Sequence, residues 1–189
     1  MLHKDISKES IEKSLEGKGD FVKIDHLSEM LKENISLDMK KYVALKLADI
    51  YEVRGMLTDA AKMFDLIALN TVAFTDKMKS YVKEAWMLIR AGELERAEEA
   101  VKKAQSYANA SEKNEINFII KDFYKKQAGI YEKEIRRASA VKIYERLLEM
   151  NLAENERKEI KEKLMNLYER LGRMREYFDL KKGSEEKRY

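Results

Sequence analysis

The chain of 189 residues contains two histidines, His3 and His26, and no cysteine. His26 stands in Asp25-His26-Leu27-Ser28-Glu29, where one helical turn would bring Asp25 and Glu29 onto one face beside the imidazole. Such a trio weakly resembles a set of metal ligands, but a structural zinc site takes four nitrogen or sulfur donors, and no second histidine is near. A solvated helix face accounts for the same residues, so no metal and no cofactor are expected. His3 is expected at the surface. Nucleophilic catalysis needs a hydroxyl or thiol beside a base, with a third group orienting that base. With no thiol and two isolated imidazoles, no catalytic residue is identified and a non-enzymatic protein is expected.

Other chemistry-bearing patterns reduce to structure in the same way. Gly17-Lys18-Gly19-Asp20 begins like a phosphate-binding loop but has neither the third glycine nor a preceding strand. A glycine ending one helix and an aspartate capping the next explain all four residues. The carboxylate pairs Glu98-Glu99 and Glu185-Glu186 read as surface. Between 121 and 146 the chain carries Lys121, Lys125, Lys126, Lys133, Arg136, Arg137, Lys142 and Arg146 against four carboxylates. Phe118, Phe123, Tyr124, Tyr131 and Tyr144 interleave with them, the composition of a single-strand nucleic-acid platform. The same aromatics also fall at helical packing positions, which makes the cations a solvated face.

The elements that must position these residues are helices. Zero prolines and 7 glycines leave little of the punctuation that sheets and barrels require, while 44% hydrophobic residues can supply a core. Helices are predicted near 5–17, 20–34, 37–54, 58–70, 75–91, 93–109, 112–135, 137–150, 153–171 and 173–182. Ser36, Thr75, Ser111 and Asn151 are the expected N-caps, Asn151 forming a capping box with Glu154. Tyr42, Leu45, Leu47, Ala48, Ile50, Tyr51 and Val53 form an apolar arc wider than one face, as in a helix flanked on both sides. The residues 183–189 read as a flexible charged tail after one helical domain over 1–182. A charged N-terminus and the lack of an apolar run near the roughly 20 residues of a membrane span predict no membrane partner and a cytoplasmic location. A net charge of +3 amid 39% charged residues, rich in Lys and Glu, is like the composition of proteins from hot-living organisms.

A repeat runs through the pattern. Ala44-Leu45-Lys46-Leu47-Ala48-Asp49-Ile50-Tyr51 leads to Gly55, then to Ala60, Phe64 and Ile67-Ala68. Tyr81, Ala85 and Leu88 lead to Gly92, then to Ala97, Val101 and Ala104. Ala128 and Tyr131 precede Ile135, where a glycine would stand, and Ala140, Tyr144 and Leu147 follow; Leu164 and Tyr168 precede Gly172 and Tyr177. A fifth, fainter copy centres on Gly19 between Leu15 and Ile24. The turns at 19, 55, 92, 135 and 172 thus recur at 36, 37, 43 and 37 residues. This resembles the tetratricopeptide repeat family, whose repeat of about 34 residues is a helix hairpin with a glycine turn. The longer spacing and the absence of the family's proline also suit looser relatives such as SNAP-type helical adaptors.

The resemblance implies an all-α, right-handed α-α superhelix, a TPR-like solenoid of about five hairpins whose first helices line a concave groove. The groove positions would be Leu45, Asp49 and Glu52; Val82, Trp86, Ile89 and Arg90; Lys125, Lys126, Gly129 and Lys133; and Glu162, Asn166 and Arg170. Leu45 and Asp49 stand where the chaperone-binding members hold a terminal carboxylate with Lys and Asn, so that clamp is not expected. Trp86 fits either the core or the groove centre. Three functions follow. The first is a protein-protein interaction adaptor that binds a partner protein or peptide segment in the groove. A nucleic-acid module would instead bind RNA through Lys125, Lys126, Arg136 and Arg137. The third is a homo-oligomer associating through an end hairpin, helped by Tyr177 and Phe178.

Overall fold

The computed structural model describes residues 7–185. Ten α-helices and no strand occur among them: α1 Lys8–Leu15, α2 Asp20–Lys32, α3 Leu37–Val53, α4 Leu57–Leu69, α5 Phe74–Ala91, α6 Leu94–Ser106, α7 Ala110–Lys133, α8 Arg137–Glu149, α9 Glu154–Arg170 and α10 Met174–Glu185. The chain divides into two compact units, residues 1–117 and 118–189, with the boundary inside α7. In the first unit α2, α3, α4, α5 and α6 each pack on the next; in the second α9 packs on both α8 and α10. His3 lies outside the described residues, as does Glu186. Helix α10 takes in residues 183–185 of the expected tail, and 186–189 lie outside the described residues.

Four helix turns share one hydrogen-bonding scheme. At Gly55, Gly92, Ile135 and Gly172 the backbone is left-handed, with φ of 71°, 81°, 59° and 70°. The residue after each donates its N–H to the carbonyl of the residue four before the turn: Met56 to Tyr51 (2.8 Å), Glu93 to Leu88 (2.9 Å), Arg136 to Tyr131 (2.8 Å) and Arg173 to Tyr168 (2.9 Å). These are Schellman caps, which satisfy carbonyls that the helix end would otherwise leave unpaired. The faint fifth copy differs. Gly17, not Gly19, is left-handed there, and Gly19 is the N-cap of α2 at φ −71°, so Asp20 is the first helical residue rather than the cap.

The same register sets the core. Seven residues before the turn stand Ala48, Ala85 and Ala128, and five after it Ala60, Ala97 and Ala140, all fully buried. Methyl side chains at these positions let paired helices approach closely, so the larger neighbours Leu47, Leu88, Tyr131, Leu147 and Leu164 fill the space around them. The apolar arc on α3 is narrower than expected: Leu45 and Val53 are exposed.

The N-caps depart from expectation in three of four cases. Ser36 caps α3, accepting from the Met39 N–H at 3.3 Å. Helix α5 instead starts at Phe74 after Ala73, so Thr75 lies in its first turn. Asn109, rather than Ser111, caps α7 reciprocally: its side chain accepts from the Glu112 N–H (3.0 Å) and the Glu112 carboxylate accepts from the Asn109 N–H (2.8 Å). At α9 the cap is Ala153, whose N–H donates to the Glu156 carboxylate at 3.0 Å, in place of the Asn151–Glu154 box.

Candidate functional site

Helices α3 and α5, the first members of two successive hairpins, carry the first group of expected groove residues. Asp49 is exposed, Glu52 is half-buried, and the Glu52 carboxylate accepts a charged hydrogen bond from Arg90 across the two helices. The Arg90 guanidinium lies over the Trp86 ring at 5.6 Å from its centre. Trp86 and Val82 are half-buried. Ile89 is fully buried and belongs to the core, contrary to its groove assignment. Beside Asp49 and Ile50 a groove of about 570 Å³ opens between α3, α1 and the start of α2. Within it Lys46 pairs with Glu12 at 2.6 Å and the Tyr42 hydroxyl donates to the same carboxylate. These two donors hold the Glu12 carboxyl below its ordinary range.

In the second unit the expected basic stretch is largely neutralised. Lys121 and Lys125 on α7 both reach Glu156 on α9, at 3.1 Å and 2.5 Å. Those two ammonium groups and the Ala153 N–H pull the Glu156 carboxyl down to about 2, the Lys125 hydrogen bond being the largest cause. Lys126 pairs with Asp122 (2.8 Å), and Arg136 pairs with Glu134 (3.4 Å) and stacks on Tyr131 (4.4 Å). Tyr124, Tyr131 and Tyr144 are buried in the core, whereas Phe118 is exposed at 67%, with Lys121 over its ring. The platform of aromatics among free cations is therefore not assembled over these residues: most of the rings face inward and Lys121, Lys125, Lys126 and Arg136 are paired.

A second groove, of about 530 Å³, lies between the end of α7 and the face of α9. Asn166 and Arg170, both expected groove residues, line it with Ile135, Arg137 and Leu167. Lys133, one turn away, is exposed. Glu132 and Lys163 line it too: Glu132 accepts from the Tyr144 hydroxyl at 2.9 Å, and Lys163 pairs with Glu159 at 3.4 Å. The side chains of Arg137, Asn166, Arg170 and Glu162 make no hydrogen bond or ion pair among the described residues. At α10, Phe178 is half exposed and meets Tyr177 edge-on, ring centres 5.4 Å apart.

One ionisable group in the core escaped the sequence reading. Glu84 on α5 is only 6% exposed, and one of its carboxylate oxygens has no hydrogen-bond partner. Burial pushes its carboxyl up to about 7, against the pull of Lys103 on α6, which stands 3.9 Å away and pairs more closely with Asp65 on α4 at 2.9 Å. The signal was its register. Glu84 lies eight residues before its turn, the place of the buried Leu47 and Leu164 in two other copies and of the buried Gln127 in the third.

The residues singled out for chemistry do not converge. His26 accepts or donates through Nε2 to the Ser14 hydroxyl at 3.1 Å, while Glu29 is engaged by Lys32 at 2.6 Å and Asp25 is exposed. Among the described residues no group of three or more His, Asp or Glu is placed to hold a metal ion. None of the described helices is long and apolar enough to cross a membrane. Comparison with protein-family models, with curated proteins and with solved structures finds no match to this chain.

Proposed function

We propose that this protein is a non-enzymatic helical-repeat adaptor of tetratricopeptide-like type, its hairpins stacked as a right-handed solenoid, which binds an extended segment of a partner protein along the first helices of its hairpins. The observation that carries the reading is where the grooves open. In each unit a groove of more than 500 Å³ opens beside first helices, α1 and α3 with the start of α2 in one and α7 and α9 with the start of α8 in the other, and includes residues assigned to partner binding, Asp49 in the first and Asn166 and Arg170 in the second. The four recurring Schellman turns support the hairpin repeat itself. A cytoplasmic location suits an adaptor with this composition. The RNA reading draws less support, because neighbouring carboxylates already occupy Lys121, Lys125, Lys126 and Arg136 and counterion release requires cations free to meet phosphate.

Photo-crosslinking tests the adaptor reading. A benzophenone amino acid is placed at Val82 or Asn166 on first helices, and at the exposed Lys62 or Lys142 on second helices, in the full-length chain expressed in its native cells. Crosslinks to one protein from the first-helix sites alone are expected. Equal crosslinking from both sets, or none from Val82 and Asn166, would overturn it.

A further inference from the structure

We infer that the groove between α7 and α9 recognises a peptide segment carrying a single carboxylate next to an aliphatic side chain. This names a ligand for one groove of the adaptor proposed above and rests on that reading.

The first support is Ile135. Three of the four Schellman turns use glycine, the residue that enters the left-handed region without steric cost, yet here a β-branched side chain is held at φ 59°. Such conformations persist in sites where the side chain serves a purpose. The side chain is 66% exposed and lines the groove together with the buried Leu167, so the unusual turn offers an aliphatic surface to solvent.

The second is charge. Arg137 and Arg170 line the same groove with no ion pair among the described residues, in a unit where Lys121, Lys125, Lys126, Arg136 and Arg173 are all engaged by carboxylates. A guanidinium binds a carboxylate through parallel N–H donors, and Asn166 adds an amide donor beside them. The carboxylates of Glu132 and Glu162 line the same groove and limit what enters. They repel a phosphate chain or an acidic run, while one carboxylate, seated on the two guanidiniums, is tolerated. An aliphatic neighbour on the ligand would then cover Ile135 and Leu167.

Panning a display library of short random peptides on the full chain tests this, with affinities of selected peptides read by fluorescence anisotropy. The expected sequences share Val, Ile or Leu adjacent to one Asp or Glu. The double variant Arg137→Glu with Arg170→Glu should lose about tenfold or more in affinity and regain it for peptides in which Lys replaces the carboxylate. Ile135→Gly should bind about tenfold more weakly while melting at a higher temperature, a pairing that a purely structural residue would not give. Selected peptides without a carboxylate, or unaffected by the arginine variants, would overturn the inference. So would a labelled RNA oligonucleotide whose binding depends on Arg137 and Arg170. If no peptide is recovered while the Val82 and Asn166 crosslinks still form, this inference alone fails; if the crosslinks are absent as well, the adaptor reading fails with it.

Discussion

The third and fourth hairpin turns, at Gly92 and Ile135, solve one geometric problem with different residues, and the helices leading into them differ at an equivalent buried place. Before Gly92 the core position holds Glu84; before Ile135 it holds Gln127. The first unit thus has an unstrained turn above an ionisable core residue, the second a strained turn above a neutral one. Both helices carry a polar residue where α3 and α9 hold Leu, ionisable in the first unit and neutral in the second, and the strained turn lies in the second, so each unit has its own energetic signature and can be probed by itself.

The largest effect should come from Glu84. Its carboxyl sits near 4.5 when unfolded and about 7 when folded, so between these values the unfolded chain gives up a proton that the folded chain keeps. Stability contributed by the protonated form is complete below about pH 4.5 and is lost as pH rises past 7, a change of roughly 3 kcal/mol at 1.36 kcal/mol per unit. Glu84→Leu, which restores the residue found at the same place in α3 and α9, should remove this dependence and raise stability at pH 8 by up to about that amount. Urea unfolding at pH 5 and pH 8 reads it directly; parallel pH curves for the two proteins would dissolve the contrast between the units.

The turns give the next effect and sharpen the comparison inside the second unit. Ile135→Gly should stabilise by about 1 kcal/mol, since the left-handed cost of a side chain is removed while some chain entropy is lost. Gly172→Ile should destabilise by roughly 1–2 kcal/mol. A Cβ at Gly172 would meet nothing within 4 Å, so the loss is one of backbone conformation rather than collision. Equal melting temperatures for all three proteins would show that the turn residue is irrelevant.

Tyr168 supplies a comparable, somewhat smaller probe. Its hydroxyl donates to Glu145 at 2.8 Å, and burial together with that carboxylate raises its pKa. Tyr168→Phe should cost about 1 kcal/mol, with no corresponding change for Tyr51→Phe in the first unit, whose hydroxyl has no such partner among the described residues. The smallest effect is expected at Glu156. With its carboxyl drawn to about 2, its contribution is present above pH 4.5 and fades as pH falls toward 2, and Glu156→Gln should cost less than about 1 kcal/mol because the pair is partly solvated. The same variant frees Lys121 and Lys125, so it should elute later from a heparin column; unchanged elution would mean that the pairing does not mask the patch.

Helix positions were legible to within a few residues because apolar spacing and glycine punctuation are local properties of the chain. Ile135 could be recognised as a turn from spacing alone. The caps were less legible, since Ala73 and Ala153 carry no capping side chain for the sequence to reveal. At the faintest turn two glycines offered the left-handed role, and Gly17 rather than Gly19 took it.

The candidate sites were legible in part. Asp49, Asn166 and Arg170 line grooves, but Ile89 is core, and Lys121 and Lys125 of the basic stretch are paired with Glu156, which lies 35 and 31 residues beyond them. A count of charges along the chain does not register a partner on another helix. By itself the sequence determined the helices, their repeat and the small residues at their crossings, all of which depend on near neighbours. The tertiary structure alone decided which cations stayed free and which carboxylate was shut away from water, because electrostatic and desolvation energies depend on distances that only packed helices set.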